Sequence, residues 1–419
     1  MKVAVIGGGT AGCIMAAHLT KYFPQFELYH IYASSIPNIG VGEGTTRIFQ
    51  EWIHEITGLN FSDLQSRCNM TLKYAIQFEN WGKQTQQYMH YFHGGEVNYT
   101  YHFSAAKLGE LLKEYISAIS IDKKVISMIS DGLAVKIGFE DASNLEVDLA
   151  FDASGFPKSF ENSKYTHIPF IPTNAALISR GQKIDSQSVT RSIARQHGWI
   201  FSIPLTTHTS YGYVYNNSIN SRTEIENDLE MFFNQENIDS FGDSKYLTFP
   251  NFISNTFFDG ALCKIGNAAC FMEPLEATAI GLILGEISLF TDDIIKDFCQ
   301  MKKRVKFDKF KIQNFNNKLL KNIWKVAIFV GWHYASGSCF DTNFWHYAKS
   351  NFEKELNKLE DKDIVDTFNK YLYAASKLDY WQYCYDTTYL KCSFAGYPIS
   401  SFYEIGHGTG YLSEMNYSN

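Results

Sequence analysis

KVAVIGGGTAG, residues 2–12, decides the fold. Lys2–Ile6 is a short β-rich run, and Cys13–Leu19 follows the glycines with a helical pattern. Gly7, Gly9 and Gly12 therefore keep the G-x-G-x-x-G spacing between a strand and a helix, where a dinucleotide fingerprint belongs. Gly7 allows the tight turn, Gly9 lets the backbone approach a pyrophosphate, and Gly12 lets helix and strand pack closely. Thr10 and Ala11 open the helix, whose first N–H groups lack internal partners and face the phosphates. A turn kept for packing alone is the rival reading, but the position at the start of the chain favours FAD or NAD.

Phe26–Tyr32 reads as the second strand, and an acid that binds the adenosine ribose is expected at its end. Ala33 stands there instead, which predicts looser cofactor binding, with reduced flavin visiting and not staying. The next stretch, residues 39–46 (IGVGEGTT), is too rich in glycine to predict regular structure. Its backbone at Gly42, Glu43, Gly44 and Thr45 suits close contact with a ligand; an ordinary connector is the competing reading.

Thr71–Phe78 alternates like one strand, with Lys73 on the face of Thr71, Ala75 and Gln77. A lysine there is ordinarily solvated. On a strand aimed into a cavity it becomes a reactive amine whose pKa burial lowers. The aromatic stretch Tyr88–Phe103 carries His90, His93 and His102, but no carboxylate or cysteine completes a ligand set. These histidines read as pocket lining or packing, and no metal centre is expected.

Residues 121–151 suggest a small sheet ending at Asp152-Ala153-Ser154-Gly155, which returns the chain to the cofactor. Ala261–Ile265 reads as another strand, followed by Gly266 and Asn267 in the position where two-part FAD sites usually carry aspartate. Glu273–Ile280 then opens a helix running to about Phe290, with Pro274 in its first turn. Its unpaired N–H groups form an anion site suited to a halide or a flavin oxygen. From about Lys302 the chain reads mainly helical, and Asn251–Asn255 and Gly396–Pro398 read as connectors.

Hydrophobic residues make up 45% and charged residues 19% of the 419, so the chain folds around a core. Aromatics reach 16%, with 33 Phe and 26 Tyr, which points to rings lining a cavity for a flat ligand. A net charge of −7 without a long basic block argues against a nucleic-acid partner. Lys302, Lys303, Arg304, Lys306, Lys309 and Lys311 are interrupted by Phe307 and Phe310 and read as a solvated helix face. Eight cysteines without a C-x-x-C pair suit a reducing compartment. A strand beginning at Lys2 leaves no signal peptide, and no apolar run reaches membrane-spanning length, so a cytoplasmic protein without a membrane partner is expected.

Seven segments in order resemble the flavin-dependent tryptophan halogenase family: GGGTAG from Gly7, IGVGEGTT from Ile39, LKYAIQFENW from Leu72, DASGF from Asp152, GWIFSIP from Gly198, GNAACFMEPLEATAI from Gly266 and HYASGSCFDTNFW from His333. The resemblance implies an α/β fold built on an FAD/NAD(P)-binding Rossmann-like domain of the flavin monooxygenase and halogenase type. Residues 1–330 would form this module with interleaved substrate-side segments, and the cofactor segments would be about 1–50, 148–160 and 255–290. Residues 331–419 would be a mainly helical substrate-pocket region.

The resemblance also implies a reaction. FAD, reduced by a separate flavin reductase, would use oxygen and chloride, bromide or iodide to make hypohalous acid, which halogenates a small electron-rich aromatic substrate. By resemblance Lys73 and Glu276 are catalytic, Thr278 and Ala279 meet the halide, and residues 37–47 form a strap linking the two sites. Trp199, Phe201 and Pro204 line and shield the oxidant's channel. Phe201 stands where the family has a second tryptophan, Ala277 replaces a serine and Ala279 a glycine, so halide preference is expected to differ. Without the ordered motifs, Lys73 and Glu276 would read as a simple buried ion pair. A flavin monooxygenase and a non-catalytic flavin-binding protein are the alternatives; free indoles, phenols and carrier-bound pyrroles or phenols all stay open as substrates.

Overall fold

The computed structural model describes residues 1–36, 42–83, 87–92, 98–184, 188–300, 306–385 and 393–416. Residues 37–41 of the expected strap, His93, and Lys302, Lys303 and Arg304 of the basic run lie outside the described residues.

Val3, Ala4 and Val5 are fully buried, because the strand Lys2–Ile6 lies at the centre of a five-stranded parallel sheet. Such a strand is covered on both faces, which is why it reads as an unbroken apolar run and not as an alternation. Its neighbours are Leu149–Asp152 on one side and Glu27–Tyr32 on the other, with Leu262–Lys264 and Ile119–Asp122 at the edges. The helix Thr10–Tyr22 crosses over between the first two strands. This is the α/β arrangement expected from residues 2–12. The stretch 121–151 is not one small sheet: its ends join the parallel sheet, and Val125–Val147 between them forms a separate three-stranded antiparallel sheet.

A seven-stranded sheet carries the other half of the core. Its order is Lys245–Thr248, Ala175–Gly181, Thr209–Tyr215, Gly198–Pro204, Val189–Arg195, Ala75–Glu79 and Gln87–Tyr91, antiparallel except where Val189–Arg195 meets Ala75–Glu79. Gly198–Pro204 and Thr209–Tyr215 are buried at every position. Three further strands, Gly42–Gly44, Thr100–Ser104 and Thr71–Lys73, form a small sheet beside it.

Four expectations are corrected here. Thr71–Phe78 is two strands in two sheets, broken at Tyr74, which is exposed while Lys73 and Ala75 on either side are buried. Gly42–Gly44 is a strand and not an irregular loop, because Thr100–Ser104 supplies it with a ladder partner. Within the expected connectors, Phe252–Ser254 and Tyr397–Pro398 are short paired strands. The C-terminal region is helical, and its first long helix, Lys309–Trp332, begins where Asp308 caps Phe310.

The fourth correction concerns Pro274. It precedes a tight turn, Leu275–Ala277, and the α-helix starts only at Thr278. Glu276 (φ 66°) and Ala277 (φ 53°) are both left-handed, which breaks the helix the sequence pattern would continue backwards. Each such non-glycine residue costs about 1 kcal/mol or more, so the turn persists only because its surroundings fix it.

Candidate active site

At the glycine turn, side chains are excluded by contact. Gly7 has φ +131°, and a Cβ there would sit 2.2 Å from the Ala153 carbonyl oxygen. A Cβ on Gly12 would lie 2.0 Å from the carbonyl oxygen of Gly7. Gly9 caps the helix, leaving the N–H groups of Thr10, Ala11 and Gly12 without carbonyl partners inside it. Gly266, at φ +57°, packs against Ala11, where its own Cβ would be 2.7 Å from that of Ala11, so the two expected cofactor segments touch. Its N–H donates to Glu286 Oε2 at 3.0 Å, and burial pushes the Glu286 carboxyl up to about 8. Ala33 brings no carboxylate to the end of its strand; Asp122 of the neighbouring strand does, accepting from the Ser34 N–H (2.8 Å) and hydroxyl (2.6 Å). Backbone exposed at a helix start and held free of Cβ atoms fits a dinucleotide pyrophosphate.

Lys73 is fully buried. Its ammonium donates to the Thr45 carbonyl at 3.2 Å and lies 5.3 Å from the centre of the Phe92 ring. A Cβ on Gly44 would be 3.2 Å from Lys73 Nζ, 3.4 Å from Thr190 Oγ1 and 3.6 Å from Ala277 Cβ, so the strap and the Glu276 turn converge on the lysine. Burial pushes Lys73 down to about 7, against the opposing pull of Glu276. That depression corresponds to roughly 5 kcal/mol against the charged form. The neighbouring His102 is neutral: burial, with the Lys73 charge, holds it well below the ordinary histidine value. Its Nδ1 faces Thr71 Oγ1 (3.0 Å), whose own proton goes to the Pro204 carbonyl (2.7 Å), so Nδ1 donates and Nε2 accepts from Thr190 (2.8 Å). Glu43 is half-buried, and desolvation pushes it up to about 7.

Glu276 is not the ion-pair partner of Lys73. His333 Nε2 donates to its Oε1 at 2.9 Å, and His90 Nδ1 lies 3.0 Å from Oε1 and 2.8 Å from Oε2. The far sides of the two rings are also engaged, His333 Nδ1 by the Phe329 carbonyl (2.9 Å) and His90 Nε2 by Ser401 (2.8 Å). Burial would raise the Glu276 carboxyl, but the two histidines overcome it and hold it well below the ordinary range. Burial likewise opposes the charge on His90, yet Glu276 lifts it above the usual histidine value.

A second carboxylate braces the same turn. Glu273 is fully buried, accepts from Tyr334 (2.7 Å) and from Thr173, and donates its N–H to Asn251 Oδ1 (3.0 Å). Burial pushes it up to about 7 despite those hydroxyl donors. Consecutive residues His333 and Tyr334 thus hold Glu276 and Glu273. Trp199, Phe201 and Pro204 lie on the buried central strand; Trp199 is 6.2 Å ring to ring from Trp81 and 6.3 Å from Phe201. Phe201 covers Gly212, where a Cβ would strike its ring at 2.2 Å. Thr278 is buried at the helix start, while Ala279 and Pro274 are exposed.

The structure therefore brings Gly44, Thr45, Lys73, Ala277 and Thr278 together, and sets the glycine turn beside Gly266. Asn267 lies next to Gly266 in the same short turn. Sequence reasoning missed His333, Thr190, Ser401, Glu273 and Tyr334, and it read His90 only as pocket lining or packing. The adjacency of two polar, hydrogen-bonding residues, His333 and Tyr334, directly after the apolar run Val326–Trp332 was the one available signal.

Residues 2–97 and 93–383 match the family model described as tryptophan halogenase. The chain belongs to that family. Tryptophan 6-halogenase ThaL of Streptomyces albogriseolus is 24% identical over 448 residues, covering 87% of this chain and 81% of the relative. Tryptophan 7-halogenase RebH of Lentzea aerocolonigenes is 22% identical, covering 83% and 78%. The solved structure of tryptophan 6-halogenase SttH from Streptomyces toxytricini superposes with a TM-score of 0.78 at 19% identity, covering 98% of this chain and 91% of that one. As a member of the family this chain is a flavin-dependent halogenase that uses reduced FAD and halide on an aromatic substrate, with a separate flavin reductase. Among the described residues no helix is long and apolar enough to cross a membrane, and no group of His, Cys, Asp and Glu is placed to hold a metal ion.

Proposed function

We propose that this halogenase substitutes an electron-rich aromatic ring through Lys73 and Glu276. The observation that carries this reading is a lysine with no exposed surface, pushed down to about 7, in the same cluster as a carboxylate held ionised. When bound, reduced FAD supplies, with oxygen and halide, an oxidised halogen as hypohalous acid. Gly7, Gly9, Thr10, Ala11 and Gly12 would hold the pyrophosphate. Gly266, Asn267 and Pro274, with the strap at Gly42, Glu43, Gly44 and Thr45, would hold the remainder of the cofactor. The first N–H groups of the helix at Thr278 and Ala279 would orient the halide.

Lys73 then receives the halogen, Glu276 stabilises the cationic ring intermediate and accepts its proton, and Trp199, Phe201 and Pro204 keep water and substrate apart from the cofactor. Residues 1–330 would serve the cofactor and 331–419 the substrate pocket. The relatives' tryptophan makes an indole the first aromatic to test. With reduced FAD, oxygen, bromide and an indole panel, mass spectrometry should find brominated product. Hydroxylated product without bromine would favour a monooxygenase and overturn the reading.

A further inference from the structure

A carboxylate beside a buried lysine ordinarily pairs with it, and the pair keeps the lysine charged. This molecule is built otherwise. Among the described residues the acceptor of the Lys73 ammonium is the neutral Thr45 carbonyl, whereas Glu276 is bound by two imidazoles. Donor counting sharpens the point. His333 faces the Phe329 carbonyl with Nδ1 and the ionised Glu276 with Nε2; both partners only accept, so the ring donates from both nitrogens and carries the compensating positive charge. His90 shares the carboxylate and is backed by Ser401, which is able to donate or accept. The path runs Ser401, His90, Glu276, His333, Phe329, and Lys73 is not on it.

Resting on the assignment of Lys73 and Glu276 above, we propose that His90 and His333 are positioning residues that take up the charge and lone pairs of Glu276, so that the carboxylate does not pair with Lys73 and the lysine amine is left to receive the halogen. The neutral amine attacks the halogen of hypohalous acid: a nitrogen–halogen bond forms, the oxygen–halogen bond breaks with its electron pair going to oxygen, and the amine proton completes water. Attack by the ring carbon then breaks the nitrogen–halogen bond, and its electron pair returns to the lysine nitrogen. Glu276 takes the proton lost from the ring and passes it on to that nitrogen, so the neutral amine and the carboxylate are both restored. An ammonium has no lone pair and is inert in the first step.

The charged and titratable groups around the pair are few. Lys73 faces Glu276 from the tight turn, His102 from the small sheet and His90 from the edge of the large sheet. Glu276 faces, besides the two histidines, Tyr88 and Tyr397; Glu404 lies beyond His90. His102 is neutral and the tyrosines stay protonated, so the two imidazoles are the groups that offset Glu276. Removing either exposes Lys73 to more of the carboxylate's field and restores its charge.

The test is an NMR titration of the full chain with oxidised FAD, lysines labelled at Cε and Lys73 assigned by its loss in Lys73→Met. Wild-type Lys73 should titrate near 7. His333→Leu and His90→Leu should each raise that midpoint by about one pH unit or more. The acid limb of indole bromination should move up by the same amount with KM for indole unchanged, and the loss at pH 7 of about fivefold or more should recover at higher pH. His333→Gln and His90→Asn, which return an N–H without the charge, should fall between and serve if the leucine variants do not fold. An ordinary lysine midpoint in the wild type, or one unmoved by every variant, would overturn the proposal. A shifted midpoint in a protein that brominates nothing would support the histidine coupling and overturn the functional assignment instead.

Discussion

Around Gly7–Gly12 the molecule removes side chains, and around Glu276 it crowds them in. The first region needs backbone N–H groups laid bare, and two glycines achieve this where a single methyl would sit 2.0–2.2 Å from a carbonyl oxygen. The second needs a charge without water, and achieves it by surrounding one carboxylate with two imidazoles and bracing the turn through Glu273. One region is specified by what is absent within a short stretch of chain. The other is assembled from residues up to 311 positions apart along the path from His90 to Ser401.

That contrast predicts different kinds of failure. Gly12→Ala should have the largest effect, because the clash is with backbone that has nowhere to move: loss of FAD binding in a fluorescence titration, with folded yield falling too. Lys73→Met should abolish brominated product while FAD affinity stays within about twofold, since the lysine contacts the cluster and not the glycine turn. The same variant should be more stable than the wild type. Between about 7 and the ordinary lysine value of 10.5 the unfolded chain binds more protons at Lys73 than the folded one, so wild-type stability rises with pH across that window. The gain from Lys73→Met, on the order of 4 kcal/mol at pH 7, should therefore shrink as pH approaches 10.5, which thermal melts at several pH values will read. Glu276→Gln should lower the bromination rate by about 10²-fold with a smaller change in KM. The smallest effect expected is Ala277→Gly, a stabilisation of about 1 kcal/mol from relief of the left-handed backbone, read by denaturant midpoint.

The same contrast explains how much was legible. The glycine turn was readable because its physics is local: strand, spacing and helix lie within residues 2–19. Lys73 and Glu276 were reached by resemblance, since alternation along Thr71–Phe78 gave the lysine a face but not its burial, and hid the break at Tyr74. The turn at Glu276 was misread because proline suits a first helical turn, and nothing local announces two left-handed residues after it. His333 and Ser401 could not be paired with Glu276 from sequence, since the pairing exists only once the C-terminal helices close over the large sheet. Ala33 brings no acid, but Asp122 of the neighbouring strand, 88 residues beyond Ser34, bonds to Ser34 beside it.

The central claim is that halogen reaches the substrate through the Lys73 amine. Its most direct test is product mass spectrometry of wild type and Lys73→Met, both loaded with FAD and supplied with reductase, oxygen, bromide and indole. The account predicts a bromine isotope doublet from the wild type and none from the variant, at equal FAD occupancy. Bromoindole from Lys73→Met at the wild-type rate would contradict it.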